Sequence, residues 1–165
     1  MNHAELLKTR PVGDIDDASV KKITETLNHI LANEYALFTK TLNYHWNVTG
    51  PRFHSLHTFL DGQYRELLEI MDSLAERVRV LDATPYGTVK KMLAEMDLHE
   101  KSGKEHSANE MLKNLFSDNI KIQTLMKEAI SHEDLFSQDP GTQDFLVGLL
   151  KQHEKMSWML KSHLD

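Results

Sequence analysis

The chain has 165 residues, 40% of them apolar and 27% charged, which on a soft prior of ~150 residues per domain describes one folded domain and excludes a disordered tail protein. It contains no cysteine, so disulfides, zinc-thiolate sites, iron–sulfur ligation and thiol catalysis are excluded together. With 19 basic against 25 acidic side chains the formal charge is −6, which argues against phosphate binding by the whole surface and favours attraction of cations.

In chain order, Pro11 and Gly13 end a short leader, residues 1–15, and everything from residue 16 to 165 reads as helical. The polar opening Met1-Asn2-His3-Ala4-Glu5 does not resemble a secretory signal, and runs as short as Phe145-Leu146-Val147 cannot span a bilayer. A cytoplasmic protein without membrane partners is the expectation. The first long helix starts near Asp16, with Asp16, Asp17 and Ser19 as candidate caps, and carries Ile23, Leu27, Ile30, Leu31, Phe38 and Leu42 at three/four spacing. Gly50-Pro51 breaks it. A second helix runs from about Phe53 to Leu81 on the stripe Leu56, Leu60, Leu67, Ile70, Leu74, Val78 and Leu81. After Pro85-Tyr86-Gly87 a short helix spans about Thr88 to Met96, capped by Thr88. A polar stretch from about Glu100 to Asn109 leads to a third long helix, starting near Ser107 or Ala108 and bearing Leu112, Leu115, Ile122, Leu125 and Ala129. The fourth follows Asp139-Pro140 with Phe145, Leu149, Met156 and Leu160. No strand alternation or internal repeat interrupts this pattern. The fold class is all-α, a four-helix bundle with a short extra helix between the second and third long helices.

The second helix carries a further row beside its core stripe: His57, Asp61, Tyr64, Leu68, Met71, Asp72, Ala75 and Glu76. It reads either as a subunit interface bearing ionisable groups or as a broad core stripe with charged edges. His57 and Asp61 are four apart, as are Asp72 and Glu76, so each pair shares a face. Imidazole with carboxylate suits iron, manganese or zinc, and carboxylate pairs suit two bridged cations. The 11 residues from Asp61 to Asp72 span ~16 Å of helix, however. Metal–ligand bonds are ~2 Å, so both pairs cannot hold one ion within one straight helix. They are separate features, or they meet across a symmetry axis. An antiparallel twofold pairing of the helix about a point between Glu66 and Leu67 sets each pair opposite its complement and makes two equivalent sites, with His45 available to complete each.

The stretch from Tyr44-His45-Trp46-Asn47-Val48-Thr49-Gly50-Pro51-Arg52-Phe53-His54-Ser55-Leu56-His57 through Phe59-Leu60-Asp61 to Met71-Asp72-Ser73-Leu74-Ala75-Glu76-Arg77 closely resembles the Dps family of mini-ferritins. The family pattern of His, twelve on to His, four on to Asp, eleven on to Asp and four on to Glu reads here as His45, His57, Asp61, Asp72 and Glu76. The resemblance extends from about Asp16 to Leu164 and is strongest over residues 42 to 82. It implies a ferritin-like bundle assembled from twofold dimers into a hollow dodecamer. It also implies a ferroxidase centre with His45, His57 and Asp61 from one subunit and Asp72 and Glu76 from its partner. No glutamate in the chain has a histidine three residues later, so the Glu-x-x-His arrangement of conventional ferritins is absent.

The activity implied by the resemblance is oxidation of Fe2+ to Fe3+ at a di-iron centre. Hydrogen peroxide is the preferred oxidant and dioxygen the slower one, with ferric mineral stored in the shell. Trp46, beside the first ligand, would pack against the centre or intercept oxidising equivalents, or serve as a bulky interface aromatic. Affinity for Fe2+ is expected to fall as imidazoles protonate near their ordinary pKa of ~6.5. For the iron-uptake pore, Asp144 matches a family position. Asp134 and Asp139 are further candidates, set against helix capping around the Asp139-Pro140 turn.

The remaining histidines, His153 among them, are expected at the surface, with His54 in reach of the site and His99-Glu100 and Glu105-His106 as weak metal scavengers in the polar loop. The alternative function is a DNA-compacting structural protein with secondary iron binding. That role depends in many members on a mobile basic tail. Here the leader offers Lys8 and Arg10, which Asp14, Asp16 and Asp17 cancel, and the chain ends His163-Leu164-Asp165. Weak or absent DNA binding is expected at ~150 mM salt.

Overall fold

A computed structural model describes residues 9–99, 106–132 and 134–164. The leader up to Lys8, with His3, and the loop acids Glu100 and Glu105 lie outside the described residues. Within them are five helices and no strand: α1 (Asp17–Asn47), α2 (Phe53–Val80), α3 (Val89–Glu95), α4 (Ala108–Ser131) and α5 (Pro140–Ser162).

Local chemistry sets the ends of these helices. Asp16 caps α1 by accepting from the Ser19 backbone N–H at 2.9 Å and its hydroxyl at 2.8 Å. Gly50, at φ 100°, makes the turn into α2 that a side chain would strain. At the far end of α2, Asp82 takes the left-handed position at φ 59°. The Ala83 N–H then reaches the Val78 carbonyl and the Asp82 N–H the Arg79 carbonyl, a Schellman end in which Asp stands where Gly is usual. Ser107 and Glu110 form a capping box on α4. Asp139 caps α5 with Pro140 in its first turn.

The short connection from α1 to α2 makes an antiparallel hairpin, and α4 and α5 make another. Tyr44 meets Asn114 and Lys40 meets Asp118, so α1 and α4 are antiparallel. Arg52 meets His163 and Arg77 meets Thr142, so α2 and α5 are antiparallel too. Helices α2 and α4 therefore run the same way, and the crossover bearing α3 returns along the bundle, as in a ferritin-like fold. Two asparagines of α1 pin that crossover. Asn28 accepts from the Tyr86 N–H at 2.8 Å and donates to the Thr84 carbonyl, while Asn33 accepts from the N–H groups of Asp97 and Leu98.

The core follows most of the expected stripes: Ile23, Leu27 and Ile30 of α1, joined by Leu37; Leu56, Leu60, Leu67, Leu74 and Val78 of α2; Leu112, Leu115 and Ile122 of α4; Leu149, Met156 and Leu160 of α5. The expected Leu125 and Phe145 are half-buried, and Met126 and Leu146 take the inward positions beside them. Each such side chain contributes ~1.5–3 kcal/mol on burial. Phe38 and Leu42 are half-buried, because past Leu37 the inward face of α1 passes to Thr41 and Tyr44. One expectation is overturned. His153, placed at the surface by its charged neighbours, is fully buried, since it continues the inward register Leu146, Leu149, His153, Met156, Leu160.

Candidate metal centre

The α1–α2 hairpin brings together two histidines twelve residues apart. His45 lies in the last turn of α1 and His57 at the start of α2, and their rings stack at 3.8 Å between centroids and 21° between planes. Nδ1 of His45 is 2.9 Å from the His57 carbonyl oxygen, and Nδ1 of His57 is 2.9 Å from the His45 carbonyl oxygen. A carbonyl can only accept, so each Nδ1 carries its proton and donates. Both rings are thereby held in one tautomer with Nε2 as the free nitrogen, which is how a ligating imidazole is oriented by its surroundings. Phe53 stacks on His57 at 5.1 Å, and Tyr64 meets His45 edge-on at 5.2 Å.

Asp61, one turn beyond His57, is tied to the same group. It accepts from the Tyr64 hydroxyl at 2.7 Å and from Arg65 Nε at 2.8 Å and Nη2 at 3.3 Å. These donors, Arg65 first and Tyr64 second, hold its carboxyl at about 2, well below the ordinary 3.8. The reciprocal effect pushes the Tyr64 phenol above its ordinary value, chiefly through the hydrogen bond to Asp61. Asp61 therefore stands ionised.

Helix α2 is unbroken from Phe53 to Val80, so Asp72 and Glu76 lie on the same side as Asp61 but begin ~16 Å further along the axis. Both are exposed. The structure thus brings His45 and His57 into contact, sets Asp61 one turn beyond His57 through Tyr64, and leaves Asp72 and Glu76 apart from them. Among the described residues, no group of three or more His, Asp or Glu side chains stands as a metal-binding cluster within the one chain. The row containing these residues lies at the edge of the core, with Met71 and Ala75 packed against it. Leu68 is 51% exposed, Trp46 beside His45 is 66% exposed and Phe53 is 46% exposed, while Met71 and Ala75 are half-buried. An apolar strip of this kind with ionisable groups along it has the composition of a protein interface.

The other candidates divide. Asp144, in the first turns of α5, and Asp134 are exposed. Asp139 is 4% exposed; it accepts from the Thr142 N–H at 3.0 Å, pairs with the Thr142 hydroxyl and binds Arg77 Nη2 at 2.8 Å. Its carboxylate is committed to the cap and to Arg77, the capping role the sequence also allowed, which leaves Asp144 and Asp134 as the pore candidates. His54 is exposed one turn before His57. Sequence reasoning did not find Tyr64 and Arg65 as partners of Asp61, although their offsets of three and four residues on a helix were visible.

A family model described as a ferritin-like domain matches residues 24–165. The chain is similar to an uncharacterized low temperature-induced protein of Nostoc sp., at 37% identity over 92% of this chain and 84% of the relative. It is also similar to a DNA protection during starvation protein of Brevibacillus brevis, at 35% identity over 84% of this chain and 92% of that protein. Among solved structures, a Dps protein of Vibrio cholerae O1, described as a member of a broad superfamily of ferritin-like diiron-carboxylate proteins, superimposes with a TM-score of 0.86. That match has 26% identity and covers 95% of this chain and 97% of the other. The paired histidines on a ferritin-like bundle and these likenesses agree: the chain belongs to the Dps family of ferritin-like proteins.

Proposed function

We propose that this protein stores iron and protects against oxidative damage by oxidising Fe2+ with hydrogen peroxide at sites shared between two subunits. The observation that carries the reading is the reciprocal carbonyl lock on His45 and His57, which leaves two Nε2 atoms and the ionised Asp61 as donors beside a partly apolar face. An antiparallel pairing of α2 with its copy brings Asp72 and Glu76 of the partner opposite these donors, so each dimer holds two equivalent ferroxidase sites. Trp46 then lies against the partner beside the site. Six such dimers in a hollow dodecamer would enclose the mineral, with Asp144 and Asp134 as candidates for the iron-uptake pore. A cytoplasmic setting suits this activity.

The chemistry balances with iron as substrate. Two Fe2+ ions give up one electron each, one peroxide accepts both, and its O–O bond breaks to give two hydroxides. These with two water molecules supply the four oxygens of two ferric oxyhydroxide units as four protons are released. Paired electron transfer avoids a free hydroxyl radical. Carboxylate ligands favour the more highly charged Fe3+ product. Anaerobic Fe2+ loading followed by peroxide is expected to consume two Fe2+ per peroxide, with no hydroxyl adduct on a spin trap. A one-to-one ratio with adduct formation would contradict the reading.

Arg65 competes with iron for Asp61. Its guanidinium occupies both carboxylate oxygens, and a cation entering the site must displace it. Replacing Arg65 by alanine is expected to tighten Zn2+ binding, measured by titration calorimetry as a redox-inert probe, by a few-fold. Asp61 should then titrate closer to 3.8. With the clamp intact, the folded pKa lies below the unfolded one, so its stabilisation is present above pH 3.8 and is lost as pH falls through about 2. Weaker Zn2+ binding in the variant would show that Arg65 positions Asp61 instead.

The Brevibacillus relative is named for DNA protection. For this chain we assign protection to peroxide removal. The one leader cation described, Arg10, is tied to the Ile15 carbonyl at 2.7 Å and to Asp17, so it adds little to counterion release.

A further inference from the structure

We propose that Glu34 and His153 form a second cation site, inside the bundle of a single subunit, which takes one divalent transition-metal ion. Glu34 of α1 and His153 of α5 are each 0% exposed, and Oε1 of Glu34 is 2.7 Å from Nε2 of His153. Despite that approach, neither carboxylate oxygen of Glu34 nor Nε2 of His153 has a hydrogen-bond partner. The pair is thus close enough for an ion pair but lacks hydrogen-bond geometry, and Glu34 Oε2 has no partner, an arrangement that is costly unless a further body binds there.

The neighbours say what that body is. Asn119 donates Nδ2–H to the Leu115 carbonyl at 2.9 Å, which turns its Oδ1 toward His153 Nδ1 at 2.9 Å. That oxygen only accepts, so Nδ1 donates to it and Nε2 is the ring nitrogen turned to the carboxylate. Two lone-pair atoms at this distance repel unless positive charge lies between them. A shared proton would need the oxygen along the ring's N–H direction, and it would serve one carboxylate oxygen only. A metal ion serves both oxygens and the nitrogen at once. Adjacent donors with bonds of ~2.0–2.2 Å naturally lie ~3 Å apart. Gln123, a buried amide of α4, is already engaged with the His153 carbonyl at 3.2 Å and the Ser157 hydroxyl at 2.7 Å, which also fixes α5 at this level.

One imidazole and one carboxylate select Fe2+, Co2+, Zn2+ or Mn2+ over Ca2+ or Mg2+. An amide oxygen orienting the ring from behind is the usual support for a ligating histidine. Glu34 lies 11 residues before His45 on the unbroken α1, so this site is ~16 Å along the axis from the interface histidines. It would tie α1 to α5 across the core.

The test uses the full-length, metal-stripped protein carrying His57→Ala and Asp61→Ala, which removes the interface ligands, with Co2+ as probe. We expect one cobalt ion per chain to survive gel filtration, with visible d–d bands and a raised melting temperature. Adding Glu34→Gln, or separately His153→Gln, should abolish that retention while the far-ultraviolet circular dichroism stays helical. Cobalt absent from the parent, or retained undiminished in both variants, overturns the proposal and leaves a pair that only shares a proton. Should both variants unfold, an anomalous difference map of the cobalt-soaked parent decides: a peak between Glu34 and His153 supports the site, and none there overturns it.

Discussion

Replacing Asp72 and Glu76 together by alanine is expected to abolish fast ferric formation while leaving the subunit folded. Both side chains are exposed on α2, and among the described residues neither makes a side-chain hydrogen bond or ion pair within its own chain. Removing surface groups without partners changes stability by less than ~0.5 kcal/mol. Groups that merely support metal ligands already cost ~10–100-fold in affinity or activity when changed, so loss of two ligands should exceed ~100-fold in rate. Stopped-flow absorbance after peroxide addition to Fe2+-loaded protein measures this, with circular dichroism and assembly state recorded in parallel. Equal rates in variant and wild type would remove both residues from the site.

The second large effect concerns stability. Lys40 of α1 and Asp118 of α4 pair in the bundle with side chains only 8% and 6% exposed. Lys40 also donates to the His99 carbonyl at 3.1 Å, and Lys121 approaches Asp118 at 3.4 Å. Removing one partner leaves an uncompensated buried charge, which typically costs ~3–5 kcal/mol. Asp118→Ala is therefore expected to lower the denaturant midpoint steeply, whereas Lys40→Met combined with Asp118→Leu should recover most of the loss. A double variant as unstable as the single one would mean that the pair itself, and not the stranded charge, holds α1 to α4.

Much of this architecture is written locally. Gly50-Pro51, Thr88, Ser107 with Glu110, and Asp139-Pro140 end or start helices through chemistry confined to a few residues, so the boundaries could be read from the chain. The period of α2 names its buried stripe for the same reason, whereas in α5 the inward register runs through Leu146 and His153 and leaves the expected Phe145 half-buried. The spacing of His57 with Asp61 and of Asp72 with Glu76 was also legible, because helix geometry alone shows that the two pairs cannot meet in one subunit. What stayed hidden depends on contacts between distant segments. The exchange of hydrogen bonds between His45 and His57 needs the finished hairpin. Asn28 and Asn33 look like ordinary polar helix residues until the crossover folds over them. Glu34 and His153 sit at inward positions of otherwise apolar stripes, and a polar residue there is easily mistaken for a local exposure of the helix.

Mixed assembly tests the shared site most directly. One protein carries His57→Ala and Asp61→Ala, the other Asp72→Ala and Glu76→Ala, and each alone should be nearly inactive. When they are unfolded together and reassembled in equal amounts, half of the dimers contain one of each. In such a dimer one site keeps only His45 and the other is complete, so about a quarter of wild-type activity should return. Recovery to that level is the predicted result; a mixture no more active than its two parents would contradict an active site built from two chains.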